Sequence, residues 1–171
     1  LISRVDLLLI GGGMAATFLS AQGYPVGHSL VEEDNLDVAR NLMDLARHKG
    51  ISLCLPVDAI VSETFDAKAR HALVKVDSIP QKGYIMDIGP ETVESFAKEL
   101  KVCKTVFWNG PMGVFEMPRF SKGTRVVAEA IAGLKEVTSV VGGGSTAEAV
   151  EELGLADRMT HVSTGGGASL E

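Results

Sequence analysis

Gly142, Gly143 and Gly144 run directly into Ser145 and Thr146, where a strand-like stretch gives way to a helical one. A glycine turn that opens a helix leaves backbone N–H groups unpaired at the positive end of the helix dipole. That arrangement suits a terminal phosphate. Ser145 and Glu148 also form the Ser-x-x-Glu pattern of a capping box, which can operate while other N–H groups stay free. A second glycine run, Gly165, Gly166 and Gly167, follows the hydroxyls of Ser163 and Thr164. It reads either as a mobile loop or as a set of unhindered amides that can follow a phosphoryl group as its charge moves.

Gly11, Gly12 and Gly13 form a third run between a strand-like and a helix-like segment. Glycine there permits a positive φ and close approach of a ligand to the backbone, or it simply makes a tight crossover. The spacing matches neither GxGxxG nor GxxxxGK[ST]. Residues 108–116, Trp-Asn-Gly-Pro-Met-Gly-Val-Phe-Glu, mix several chemistries in one loop. Asn109 can donate and accept hydrogen bonds, Glu116 can accept from sugar hydroxyls, and Pro111 and Val114 can flank a base or ribose. The plainer alternative makes Trp108 and Phe115 core aromatics and Glu116 a solvated charge.

Other reactive residues are less suggestive. His28, His48, His71 and His161 show no metal-ligand spacing, and no HExxH occurs, so no protein metal site is expected. Asp87 precedes Gly89 and Pro90 and reads as a turn-capping carboxylate before a metal ligand. Cys54 and Cys103 lie in apolar stretches without a CxxC pattern, as expected of two reduced core thiols.

The elements that position these loops follow from periodicity. Residues 5–10, 51–57, 84–88, 105–108, 138–141 and 161–163 read as strands, and 59–62 and 72–76 as extended pieces. Helices are expected over residues 14–22, over a segment capped by Asp34 and ended by Gly50, from Pro90 to about Leu100, and over 124–134 and 145–153. The strands are largely continuous in apolar character and alternate with helices. This predicts a three-layer, Rossmann-like α/β domain with a mainly parallel sheet and helices on both faces. In such a sheet ligands sit beyond the carboxyl ends of the strands, where all three glycine runs fall.

Composition narrows the function classes. The 171 residues carry 16 basic and 22 acidic side chains, a net charge of −6, which disfavours a nucleic-acid surface but not a nucleotide pocket. The longest apolar stretch, residues 7–19, is broken by glycines and too short to span a membrane, and no signal-peptide pattern leads the chain. Cytoplasmic location follows by elimination. Leu1 is no initiator methionine and Glu171 follows a helix-like start, so residues 1–171 read as a single domain cut from something longer at both ends.

The chain resembles the C-terminal, nucleotide-binding domain of phosphoglycerate kinases. The resemblance rests on Ile10-Gly-Gly-Gly-Met-Ala, Leu55-Pro-Val-Asp, Asp87-Ile-Gly-Pro, the Trp108-to-Glu116 segment, and Ser163-Thr-Gly-Gly-Gly-Ala-Ser-Leu-Glu. The resemblance implies a phosphotransferase that reversibly moves a phosphoryl group between 1,3-bisphosphoglycerate and MgADP, giving 3-phosphoglycerate and MgATP. It implies Mg2+ with ADP or ATP as cofactor, and a monomeric full-length protein whose N-terminal domain binds 3-phosphoglycerate. That domain and a lysine-bearing glycine-rich segment are not in this sequence, so the chain alone is expected to turn over negligibly. Carried over residue by residue, Gly12, Gly13 and Leu30 line the adenine slot, and Glu116 accepts from the ribose. Asn109, Pro111 and Val114 line the nucleotide site. Gly143, Gly144, Ser145 and Thr146 sit by the phosphates. Gly165, Gly166 and Gly167, with Gly144, stabilise the group in transfer.

Two departures stand out. Ser145 occupies the place of a magnesium-supporting aspartate, and serine is a weaker, neutral ligand. Ile85 stands where glycine is common beside the adenine. Both keep open a second reading, a non-catalytic adenine-nucleotide-binding module. A third, an NAD-binding oxidoreductase domain, fits the α/β pattern but lacks the dinucleotide fingerprint.

Overall fold

A computed structural model of the chain describes residues 2–165. The chain forms a layered α/β domain in which three small sheets are flanked by helices. β1 (Leu7–Leu9) pairs in parallel with β2 (Ser52–Cys54), joined across α1 (Gly12–Ala21) and α2 (Leu36–Lys49). β3 (Asp58–Ser62) lies between β4 (His71–Lys75) and β5 (Tyr84–Ile88), antiparallel to both. After α3 (Pro90–Leu100), β6 (Thr105–Asn109), β7 (Thr138–Gly142) and β8 (His161–Ser163) form a parallel sheet. The connections are α4 (Lys122–Ala132) and α5 (Gly144–Glu152).

The expected mainly parallel arrangement therefore holds for two of the three sheets, and the fold is mixed. The antiparallel sheet also breaks the expectation of strands buried on both faces. β4 is an edge strand with four of its five residues exposed. β6 alternates, with Val106 and Trp108 buried and their neighbours exposed, so only one of its faces is covered.

The largest apolar cluster joins Val93, Phe96 and Leu100 of α3 to Val106, Trp108, Val127 and Ile131, with Leu9 and Cys54 packed against it. Its stripe on α3 is the one the three-and-four spacing predicts, started by Pro90 at the first helical position. A second cluster seats Leu19 of α1 on Ala59 and Val61 of β3, and a third holds Ile10 and Phe18 against Ala39. Apolar burial thus fixes both helical layers to the strands. Gly50, with φ of 69°, ends α2 in the left-handed conformation expected of it.

Two caps differ from expectation. Asp34 does not cap α2. It lies within a short 3-10 turn, Glu33–Asn35, and Asn35 takes the cap position without a side-chain bond. The Ser145–Glu148 capping box does not form either. Gly143, at φ of 93°, is the cap residue, a conformation that leaves Ser145 already inside the helix. Cys103 lies just outside β6, where its thiol donates to the Glu99 carbonyl at 3.6 Å. Both cysteines are free and half-buried, and burial pushes both thiols up, with Glu99 adding to it.

Candidate functional site

The loops at the carboxyl ends of β1, β6, β7 and β8 meet along one rim. The N–H of Gly12 donates to the Met112 carbonyl at 3.1 Å, which joins the first glycine run to the 109–114 loop. The N–H of Gly110 donates to the Thr146 hydroxyl at 2.7 Å, which joins that loop to α5. The N–H of Gly143 donates to the Gly165 carbonyl at 3.3 Å, which joins the second run to the third. Three backbone donors therefore tie four segments that are far apart in sequence.

Close approach explains two of the glycines. A Cβ on Gly12, whose φ is 59°, would lie 2.3 Å from the Pro111 carbonyl oxygen. One on Gly143 would lie 2.6 Å from the Asn109 side-chain oxygen. Neither position admits a side chain without moving the neighbouring loop. Gly13 and Gly144 differ, since nothing lies within 4 Å of where their Cβ atoms would stand.

Between α1, the 26–30 segment and β5 lies an open, mainly apolar cleft of about 170 Å³. Gly12 and Gly13 form one wall, Val114 and Met112 another, and Leu30, 84% exposed, stands at the mouth. Ile85 lines the same cleft, so its β-branched side chain narrows the space beside the glycine wall. The Ser29 hydroxyl accepts the Ile85 N–H at 2.8 Å, which fixes the 26–30 segment to β5.

Two aromatics in the cleft have no counterpart in the sequence reading. Phe65, 57% exposed, meets Tyr84 edge to face with ring centroids 6.1 Å apart, and both line the cleft. Phe65 falls between the extended pieces at 59–62 and 72–76, outside every element read from the sequence. The available signal was an aromatic among Glu63, Thr64 and Asp66, where burial cannot be its purpose.

Asp87 forms part of the cleft floor, yet it is only 2% exposed. One carboxylate oxygen accepts the Gly123 N–H at 2.8 Å and the other accepts the Ile88 N–H at 2.9 Å. Burial pushes its carboxyl up to about 6, against the pull of those two donors. The reading of Asp87 as a capping carboxylate is thus correct in kind, but the donor comes from α4 and not from the adjacent turn. Asp58 does the corresponding work for α3, accepting the N–H groups of Glu91 at 3.0 Å and Thr92 at 2.9 Å.

The remaining predicted site residues divide. Pro111 and Asn109 sit on the rim, against Gly12 and Gly143 respectively. Gly144 and Ser145 are exposed in the first turn of α5, where the N–H groups have no intrahelical acceptor. Thr146 is 1% exposed, and its oxygen is taken up by Gly110. Glu116 is exposed and lies outside the cleft lining, two residues past Val114. Gly165 is present on the rim, whereas Gly166 and Gly167 lie outside the described residues. Among the described residues no group of three or more His, Cys, Asp or Glu could hold a metal ion, and no helix is long and apolar enough to cross a membrane.

Comparison with known proteins returns one family throughout. Residues 1–171 match the family model for phosphoglycerate kinase. The chain is 53% identical over 173 residues to a phosphoglycerate kinase of Synechococcus sp. (strain JA-3-3Ab), covering 100% of this chain and 42% of that protein. It is 54% identical over 172 residues to one from Clostridium novyi (strain NT), again over 100% of this chain and 43% of the relative. The solved phosphoglycerate kinase of Coxiella burnetii superposes with a TM-score of 0.95 at 44% identity, over 99% of this chain and 44% of that one. The chain thus spans less than half the length of the relatives it matches.

Proposed function

From the premise that this chain belongs to the phosphoglycerate kinase family, we propose that it is the nucleotide-binding, C-terminal half of such an enzyme. The single observation that carries this is the joining of the glycine loops along one rim, with an open cleft at one end and the α5 N-terminus exposed. In this reading the whole protein transfers a phosphoryl group between 1,3-bisphosphoglycerate and ADP, and it works in the cytoplasm. The partner domain that binds 3-phosphoglycerate lies outside these residues.

The division of labour follows the chemistry of the surfaces. The apolar cleft suits a purine, with Gly12 and Gly13 on one side, Val114 on the other and Leu30 at the mouth. Phe65 offers an aromatic face at the entrance, where base stacking needs no sequence of hydrogen bonds. From there Pro111 and Asn109 lead to α5, and Glu116, exposed two residues past Val114, is assigned to the ribose hydroxyls. The first-turn N–H groups of Gly144, Ser145 and Thr146, helped by the helix dipole, receive the phosphates. Gly143 and Gly165 hold the facing loop, and the roles of Gly166 and Gly167 beside the group in transfer are proposed on the family resemblance alone.

These donors fit an anion, and in this reading magnesium would come with the nucleotide, carried on its phosphates. Bound there, the ion would neutralise phosphate charge during transfer. The chain's residues contribute positioning and fixed dipoles, with no covalent intermediate on the protein.

Calorimetric titration tests the assignment. ADP should bind, more tightly with magnesium, and NAD should not displace it. A coupled ATP-forming assay with the 171-residue chain alone should give negligible turnover, since the acceptor domain is not in it. Ser145 and Ile85 favour the second reading, a non-catalytic nucleotide-binding module. Turnover by a longer form that includes the partner domain separates the two.

A further inference from the structure

Asp87 is a carboxylate buried beneath the cleft with no cationic partner among the described residues. Its register neighbour on β3 is the apolar Ile60, and the loop above it presents Gly113. From α4 it meets Gly123, while the adjacent Lys122 is exposed to solvent. An ideal Cβ on either Gly113 or Gly123 would lie 2.3 Å from the same Asp87 oxygen. The carboxylate is therefore clasped between the cleft wall on one side and the first turn of α4 on the other. The wall is tied to the same strand by the Val114 N–H, which donates to the Met86 carbonyl at 2.8 Å.

We infer that Asp87 is a positioning residue, which sets the Gly113–Val114 wall of the cleft by locking it against the first turn of α4. It touches no reacting atom and acts through Gly113 and Gly123. The inference rests on the nucleotide reading of the cleft.

Two features favour this over a merely structural role. A buried charge without a counter-ion costs stability, and such groups concentrate where function needs them. The arrangement also demands two acceptors. The ionised carboxylate accepts from Gly123 and Ile88 at once, whereas an amide or a protonated acid offers an acceptor at only one oxygen.

The test uses the full chain with Asp87→Asn and, as an independent variant, Gly123→Ala, which crowds the carboxylate from outside the cleft. At pH 7.5 each should weaken MgADP binding by about three- to tenfold, the loss expected for one misplaced hydrogen-bonded contact. As the pH falls below about 6, where Asp87 itself protonates, wild-type affinity should converge on that of Asp87→Asn. Without nucleotide, the amide resonances of Gly113 and Gly123 should titrate together with one midpoint near 6 in wild type and not in Asp87→Asn. Wild-type affinity and pH profile in both variants would overturn the inference, as would independent titration of the two glycines. If the wild-type chain binds no MgADP, the nucleotide reading fails, and the ligand-free titration alone decides the role of Asp87.

Discussion

The Thr146 hydroxyl accepts the Gly110 N–H at 2.7 Å, so a buried side chain of α5 holds the loop that leaves β6. Thr146 is 1% exposed while Gly110 is half-buried, so the contact has one side in the interior. Through it the end of one strand and the start of the next strand's helix become a single rigid edge.

Thr146→Val keeps the shape of the side chain and removes the acceptor. The Gly110 N–H then loses its partner, at a cost of about 1–3 kcal/mol. Urea unfolding followed by the fluorescence of Trp108, the only tryptophan, should report a lower midpoint with an unchanged slope. Trp108 is well placed, because its indole N–H donates to the Gly110 carbonyl at 2.8 Å.

Phe65→Ala should do the opposite. With 57% of the residue exposed, its loss should change stability by no more than about 0.5 kcal/mol. Removing an aromatic face that stacks on a base costs about 1–3 kcal/mol in binding. ADP affinity should therefore fall by about five- to 150-fold, measured by calorimetry, while thermal unfolding stays near wild type.

Asp87 makes stability depend on pH in a defined sense. Its carboxyl is raised from 3.8 to about 6 in the folded chain, so between those values the native state binds more protons than the unfolded one. Its contribution is favourable below about 4 and is lost as the pH rises through about 6. The full change is about 3 kcal/mol. Asp87→Asn has no such titration. Unfolding free energies measured from pH 4 to 7.5 should therefore show the variant gaining on wild type as pH rises, with the change centred between pH 4 and 6.

Much of this was legible in the chain, for identifiable reasons. Pro90 at a helix start, Gly50 in a left-handed cap and the apolar run at residues 84–88 are local signals, and each lies where the spacing placed it. The meeting of the second and third glycine runs follows from β7 and β8 being neighbours in one parallel sheet, whereas the first run follows β1 of another sheet and joins them through the 109–114 loop. What stayed hidden depends on partners remote in sequence. Gly123, in the first turn of α4, is glycine because Asp87, 36 residues earlier, fills the space a side chain would need. Ser145 failed as a cap because Gly143 reaches a φ of 93° and starts the helix sooner. Phe65 could not be assigned a role from its own neighbours, since the Tyr84 ring it meets belongs to another strand.

Backbone resonance mapping during an MgADP titration of the 171-residue chain bears most directly on where the nucleotide sits. The expected result is one saturable set of shifts at Gly12, Gly13, Val114 and the first turn of α5, with no comparable set on adding NAD. Shifts gathered instead in the separate groove beside Met43 and Leu53, or none at all, would contradict it.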